Sequence, residues 1–393
     1  MHKVDSSLKK EVGKFGTGKW QDCFHCGTCT AACQLSDSRH LIPRSTIRSL
    51  QLGLTSKVHQ DLDPWLCYYC GDCSETCMRD ANPGELMMTL RRYLTSVYDW
   101  TGISRIFYTK RHIELWVILG VFTLVVALFA IFLPPSAQLF SNPEAFLTVQ
   151  GGVAINSLVD GIGSHAFVGI IETFDIAMAL FIGLLLISNI IHMWTRTVLS
   201  RTEYVVPVQN YFLELWQLIF HFSVQPKFSK CSDKKYWGGH FLMMSGYTVM
   251  FIMIVALLPK FQTEVIHPWY HWQRLLGYYA TFGILFFLSI VAVKRLRRTD
   301  IKLKFSHISD WLFIILLLLT TLSGIFLHFL RISGMPAATY FMYVFHLAVL
   351  VPMLIVEVPF SKWSHLAYRP FAVYFARLND SAIRRRTNSP AYV

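Results

Sequence analysis

Two runs of cysteine carry the clearest chemistry in the chain. They read Cys23-Phe-His-Cys26-Gly-Thr-Cys29-Thr-Ala-Ala-Cys33 and Cys67-Tyr-Tyr-Cys70-Gly-Asp-Cys73-Ser-Glu-Thr-Cys77, both with the spacing C-x2-C-x2-C-x3-C. Three cysteines at this interval wrap a tight loop around a cube of iron and sulfide, and the fourth, one helical turn on, points to the other cluster. On that rule one 4Fe-4S cluster uses Cys23, Cys26, Cys29 and Cys77, and a second uses Cys67, Cys70, Cys73 and Cys33. Gly27 and Gly71 let the backbone pass close to each cluster. Structural zinc is the competing use, but it favours separated C-x2-C pairs over two identical four-cysteine runs. A proline usually follows the fourth cysteine; here Gln34 and Met78 stand there, and since proline is not a ligand the cluster sites are unaffected. Eight of nine cysteines precede residue 78, which points to metal in a reducing compartment and away from a disulfide scaffold. Cys231 stands alone and reads as an ordinary thiol.

The second set of candidates is histidine in a hydrophobic setting. An ionisable side chain in a membrane helix is costly and functional by default, and in a helical bundle the natural use is axial ligation of haem, with zinc or proton relay as rivals. His346 lies inside the last apolar stretch and His365 follows nineteen residues later. In a continuous helix they would be about 28 Å apart, one near each membrane face. Two stacked b haems suit that spacing. His240 is the expected partner of His365 at the inner haem, with His192 as a substitute. His271 is the expected partner of His346 at the outer haem, with His328, His267 and His165 behind it. A quinone site needs groups that hold two oxygens and exchange protons. Glu172, Asp175, Lys260, His271 and Arg274 are available on the outer side, with Asp310 and Glu357 as inner equivalents. A place at a helix end or in the interface is the plainer use of these residues.

The elements that must position these groups follow from composition. The chain has 393 residues, 53% hydrophobic and only 15% charged, with a net charge of +12. A soluble domain carries about 25% charged residues, and disorder is excluded by 15% aromatics. Residues 1–111 hold no stretch near the ~20 residues needed to span a bilayer. Six such stretches follow: Ile113–Leu133, Phe167–Trp194, His240–Leu258, Trp272–Val293, Ile308–Leu330 and Ala338–Phe360. They are expected to be helices, because lipid leaves backbone groups no other partner. Alternating them puts 33 of the 36 Lys and Arg residues on the side of both termini and leaves Lys260, Arg274 and Arg331 on the other. By the positive-inside rule both termini are then cytoplasmic, in the inner membrane. Basic patches such as 294–298 read as topology and lipid-headgroup contacts, not nucleic-acid sites. The polar, lysine-rich stretch Met1–Trp20 argues against a cleavable signal peptide. Between the cysteine runs, Pro43 to Leu54 has a helical pattern stopped near Gly53. The expected fold is all-α. A helical two-cluster ferredoxin-like domain (1–111) precedes a six-helix transmembrane cytochrome b bundle (112–366) and a basic cytoplasmic tail (367–393).

Cys26-Gly-Thr-Cys-Thr30, followed by Pro43-Arg-Ser-Thr-Ile-Arg48 and Leu52-Gly53, resembles the C-type iron–sulfur subunit of heterodisulfide reductase. The ending His346-Leu…Pro359-Phe-Ser-Lys-Trp-Ser-His365 resembles the cytochrome b subunit of respiratory nitrate reductase. Their fusion, with Tyr69-Cys-Gly-Asp-Cys-Ser-Glu-Thr-Cys77 and Pro83-Gly84-Glu85, resembles the C-type subunits of quinone-interacting membrane-bound oxidoreductase complexes. That resemblance implies electron exchange between menaquinone and two soluble flavin and iron–sulfur subunits, which serve adenylylsulfate reductase in dissimilatory sulfur metabolism. In the cytochrome family two ligand histidines share one early helix; the corresponding helix here offers only His240. Other readings are a heterodisulfide-reductase or sulfite-pathway membrane subunit, and, from another class, a membrane anchor that binds no haem.

Overall fold

The structure is a computed structural model that describes residues 4–160, 166–261 and 263–387. His165 therefore lies outside the described residues. The fold is all-α, and the described residues contain no β-strand.

The cysteine-bearing part is built from short helices. α1 (Thr28–Ala32) follows the first cysteine loop. α2 (Arg44–Gln51) is the helix expected between the runs, and the chain leaves it through Gly53 at φ 67°. α3 (Asp72–Glu75) follows the second loop. α4 (Pro83–Tyr98) is the longest of this part. Pro83 suits its first turn, where no amide partner is needed, and the Asn82 carboxamide accepts the Glu85 amide at 3.3 Å. Leu86, Leu90, Leu94 and Tyr98 recur at helical spacing and are fully buried. α5 (Ile103–Thr109) leads to the membrane half.

There the expected stretches appear as α6 (Arg111–Phe132), α7 (Ala166–Trp194), α9 (Lys234–Val255), α10 (Trp272–Arg297), α11 (Ile308–Ile332) and α12 (Pro336–Pro352). Between α7 and α9 runs a short amphipathic helix, α8 (Leu215–Ser223), with Trp216 and Ile219 exposed. α12 continues through a widened turn to Phe360. Six helices are long and apolar enough to cross a membrane, and the chain is a multi-pass membrane protein by that measure. α9 and α10 lie close because glycine stands at their contact. A Cβ on Gly246 would meet the Ala280 carbonyl at 2.9 Å, and one on Gly283 the Leu242 carbonyl at 2.8 Å. α7 leaves Phe174, Leu180 and Leu184 exposed, a surface suited to lipid.

Residues 367–393 were expected to form a basic tail. Instead α13 (His365–Thr387) is a 23-residue helix whose apolar face completes the core of the cysteine-bearing part. Residues 388–393 lie outside the described residues. Tyr368, Ala372, Phe375 and Leu378 are buried with Trp65, Leu86 and Tyr98, and the Tyr368 ring centre is 5.1 Å from that of Trp65. The Arg384–Arg386 run dominates a reading by charge and hides the apolar stripe at i, i+4, i+7. The two parts thus share one core.

Tyr368→Ala should destabilise the iron–sulfur part by about 3 kcal/mol through the cavity it leaves, seen as earlier loss of cluster absorbance on heating. A second tie of α13 is polar. Asp380 lies 3.1 Å from Arg39 and 3.7 Å from His40, and His40 also meets Asp63 at 2.7 Å. Burial pulls the His40 imidazole down, but the Asp380 and Asp63 carboxylates outweigh it and raise it to about 10 from an unfolded value of 6.5. Its contribution is then complete below about pH 6.5 and disappears as pH rises through about 10. In His40→Ala the melting temperature should fall less steeply over that alkaline range than in the wild type.

Candidate redox centres

The two cysteine loops fold alike. In each, the residue before the second cysteine is left-handed (His25 at φ 59°, Tyr69 at φ 54°), and so is the glycine after it (Gly27 at φ 89°, Gly71 at φ 98°). These glycine positions favour a residue without Cβ. Gly71 has a second reason: a Cβ there would meet the Ile301 side chain at 3.0 Å. Each glycine opens a one-turn helix that carries the third cysteine, and α1 packs against α3. That contact carries the end of the first run to the second loop. Cys33 lines a small cavity with Cys67, Cys70 and Cys73, the set expected for the second cluster. Among the described residues no three His, Cys, Asp or Glu side chains are placed to hold a single metal ion. Four cysteines from two runs of this spacing at one cavity are a donor set that fits a 4Fe-4S cluster. In the first loop Cys29 is buried beside Cys23 and Cys26, and Cys26 is exposed. Cys77 is half-buried at the end of the second run. Phe24 and Met78 are exposed around the first loop, and the Arg79 guanidinium lies 4.3 Å from the Phe24 ring centre.

The second loop sits on the membrane half. Asp72 accepts the Ser232 hydroxyl at 2.5 Å. Cys231 is buried and in hydrogen-bonding contact with Cys70, so the expected ordinary thiol touches a cluster cysteine. Tyr68, between Cys67 and Cys70, stacks on Phe228 with ring centres 4.9 Å apart. Phe228 meets His240 edge-on at 5.4 Å.

His240 opens onto a cavity of about 170 Å³ at this end of the bundle, and His365 lines it too. The structure thus brings together the pair expected for one haem. The donors suit an iron macrocycle. The His365 Nδ1–H donates to the Lys362 carbonyl at 2.7 Å, which fixes the tautomer with Nε2 available as a ligand, and burial holds this imidazole well below its ordinary value, neutral. His240 Nδ1 is buried without a hydrogen-bond partner. Phe287, Phe313 and Trp363 supply apolar walls, and Arg295, Lys362 and Arg369 supply cations. A third imidazole, His221 of α8, also lines this space, and burial pushes it down to about 4. Sequence reasoning missed it, because a histidine in a short helix outside the spans carries no signal of depth. His192, the alternative to His240, ends α7 with its Nδ1 unpartnered.

The outer candidates are dispersed. His346 Nδ1 lies 2.9 Å from the Ser323 hydroxyl, and its ring packs where a Cβ on Gly324 would stand 3.2 Å away. His271 stacks on His267 at 3.9 Å, and His328 meets the Tyr278 hydroxyl at 3.1 Å. Each ring is engaged apart from His346. The quinone candidates separate likewise. Glu172 and Asp175 of α7 lie near Tyr343 of α12. Lys260 is exposed, and Arg274 lies near His328 and Arg331. On the inner side Asp310 is committed to ion pairs with Arg92, Arg295 and Lys362. Glu357 is buried near Glu114, whose carboxylate accepts the Ser361 hydroxyl.

Residues 22–82 match the family model of a 4Fe-4S dicluster domain. The chain is 30% identical over 99 residues to an Archaeoglobus profundus protein described as like the C-type subunit of heterodisulfide reductase, over 24% of this chain and 53% of that one. It is 38% identical over 69 residues to the second C-type iron–sulfur subunit of the CoB–CoM heterodisulfide reductase of Methanocaldococcus jannaschii (18% and 37%). It is 37% identical over 71 residues to the C2 subunit of the H2/formate:CoB-CoM heterodisulfide,ferredoxin reductase of Methanococcus maripaludis (18% and 38%). The chain thus spans about half the length of the first of these relatives and less of the other two. No solved structure matches it. These likenesses make the N-terminal part an iron–sulfur, electron-transfer domain.

Cys33→Ser should abolish or alter the electron paramagnetic resonance signal of the cluster held by Cys67, Cys70 and Cys73, and spare the other. The opposite pattern would show that each run serves its own cluster.

Proposed function

We propose that the protein is a membrane electron-transfer subunit that links the menaquinone pool, through b haems and two 4Fe-4S clusters, to cytoplasmic flavin and iron–sulfur subunits. In this reading it serves adenylylsulfate reductase in dissimilatory sulfur metabolism. The observation that carries the reading is one of adjacency: the cavity lined by His240 and His365 borders Tyr68 of the second cysteine loop. When bound, haem b and the clusters supply one-electron centres, and the protein sets their positions and potentials.

The residues divide the work. Cys23, Cys26, Cys29 and Cys77 would hold one cluster; Cys67, Cys70, Cys73 and Cys33 would hold the other. His240 and His365 would supply the axial ligands of the inner haem, and the Lys362 carbonyl orients the second imidazole. His346, steadied by Ser323, would supply one ligand of an outer haem. His271 is not engaged with it and is a weaker choice for the other. Glu172 and Asp175, near Tyr343, and Lys260 and Arg274 remain the outer groups able to hold a quinone. The charge asymmetry supports both termini in the cytoplasm and 1–111 as the docking part.

The relatives' names favour one second reading, a heterodisulfide-reductase type membrane subunit with a different soluble partner. Identification of the subunits that co-purify from native membranes separates the two. The first reading expects flavin subunits together with adenylylsulfate reductase. A membrane anchor without haem is separated by reduced-minus-oxidised spectra of the purified protein: absence of a b-type band would sink the haem assignment. His365→Ala should remove one haem of the wild-type complement and leave both cluster signals. Retention of the full complement would overturn the His240–His365 pairing.

A further inference from the structure

Arg369 is the cavity-lining cation that no carboxylate of this chain balances among the described residues. It is buried. Its Nη2 donates to the Cys67 carbonyl at 3.2 Å, its guanidinium lies 4.5 Å from the Tyr68 ring centre, and its Nε–H has no partner. Arg92, equally buried, has Glu85 at 3.1 Å and Asp310 at 3.2 Å. Arg295 and Lys362, on the same cavity, have Asp310 at 3.6 Å and 2.5 Å. A buried charge is costly unless paired. Arg369 shares the Cys67 carbonyl with a second guanidinium, Arg91, that has no carboxylate in an ion pair with it either among the described residues, so bound groups are the natural source of counter-charge. Arg369 borders two places where such groups would sit: the cysteine loop of Cys67, which would hold an anionic cluster, and the cavity.

Arg369 stands four residues after His365 on α13, so the two share a helix face. Pro370 and Val373 line the cavity from the same helix. One face therefore offers an imidazole, a guanidinium with a free N–H and an apolar floor, which together recognise a flat apolar ligand that carries a carboxylate at its edge. We propose that Arg369 is a junction residue. One N–H grips the cysteine loop of the second cluster and the Nε–H binds a carboxylate of the macrocycle in the cavity, so that the carboxylate edge faces the cluster. This rests on the haem reading above and adds an orientation and a coupling residue. A positive charge set between two electron-accepting centres stabilises the reduced form of both, and it does so strongly where little water screens it. Arg369 therefore raises both midpoint potentials.

The test uses the full-length protein with its cofactors, as wild type, Arg369→Gln and Arg369→Lys. Haem content is read from the pyridine haemochrome, the haem midpoint by optical titration, and the cluster midpoints by paramagnetic resonance. Arg369→Gln, which removes the charge and keeps a donor, should lower the midpoints of the inner haem and the second cluster together and leave the first cluster unchanged. Arg369→Lys should keep both midpoints near wild type. Unchanged midpoints in Arg369→Gln, with haem and clusters retained, would overturn the junction while leaving the haem reading intact. A wild-type protein without haem would overturn the haem reading itself, and the junction with it. Should Arg369→Gln lose its first-cluster signal and so fail to fold, the lysine variant decides: loss of either midpoint there refutes a role carried by charge.

Discussion

The Asp310 carboxylate, buried at the seam between the two halves, gathers three cations from three separate segments. Arg92 comes from α4 of the iron–sulfur part, Arg295 from the end of α10, and Lys362 from the stretch after the last span. Arg92 continues the chain to Glu85, which accepts the Tyr69 hydroxyl at 3.0 Å. Loss of one member of such a group costs about 3–5 kcal/mol, because the remainder are stranded in a medium that cannot hydrate them. The network is therefore a poor source of net stability and a strong source of register. It tolerates only one placement of α4 over the bundle, and with it one placement of Tyr68 against the cavity of His240 and His365.

Local information makes half of this visible in advance. Cysteine spacing, the glycines after the second cysteines and the apolar stretches are properties of neighbouring residues, so the loops and the six long helices can be read from the sequence. What cannot be read depends on which distant segments meet. α13 looks like a tail because Arg384 to Arg386 outweigh an apolar stripe whose partners, Trp65 and Tyr98, are some three hundred residues away. His221 escapes notice, and Cys231 reads as an ordinary thiol, because a segment outside the spans gives no sign that it packs against the cavity and the second cysteine loop. The outer pairing of His346 with His271 depends on helix adjacency, and the rings find other company.

The comparisons divide the chain along the same line. The N-terminal domain has relatives by name, and their shared part is the cysteine framework. The membrane half rests on its own side chains: two histidines on one cavity, a carbonyl that orients one of them, and a guanidinium that reaches across to the cysteine loop. The relation between the halves, more than either half alone, is what makes an electron carrier sound chemistry for this fold.

The shared core has a consequence for biogenesis. The iron–sulfur part is made first, yet Tyr368, Phe375 and Leu378, which complete its interior, are made only after all six spans. Until then Trp65 and Tyr98 have no cover on that side, and the Cys67 carbonyl has only the Arg91 guanidinium, not the second one from Arg369. The nascent domain stays open through the whole of membrane insertion, an interval in which a scaffold could deliver iron and sulfide. Closure by the last helix then makes quality control intrinsic: a chain cut short or badly inserted cannot seal its own metal-bearing domain.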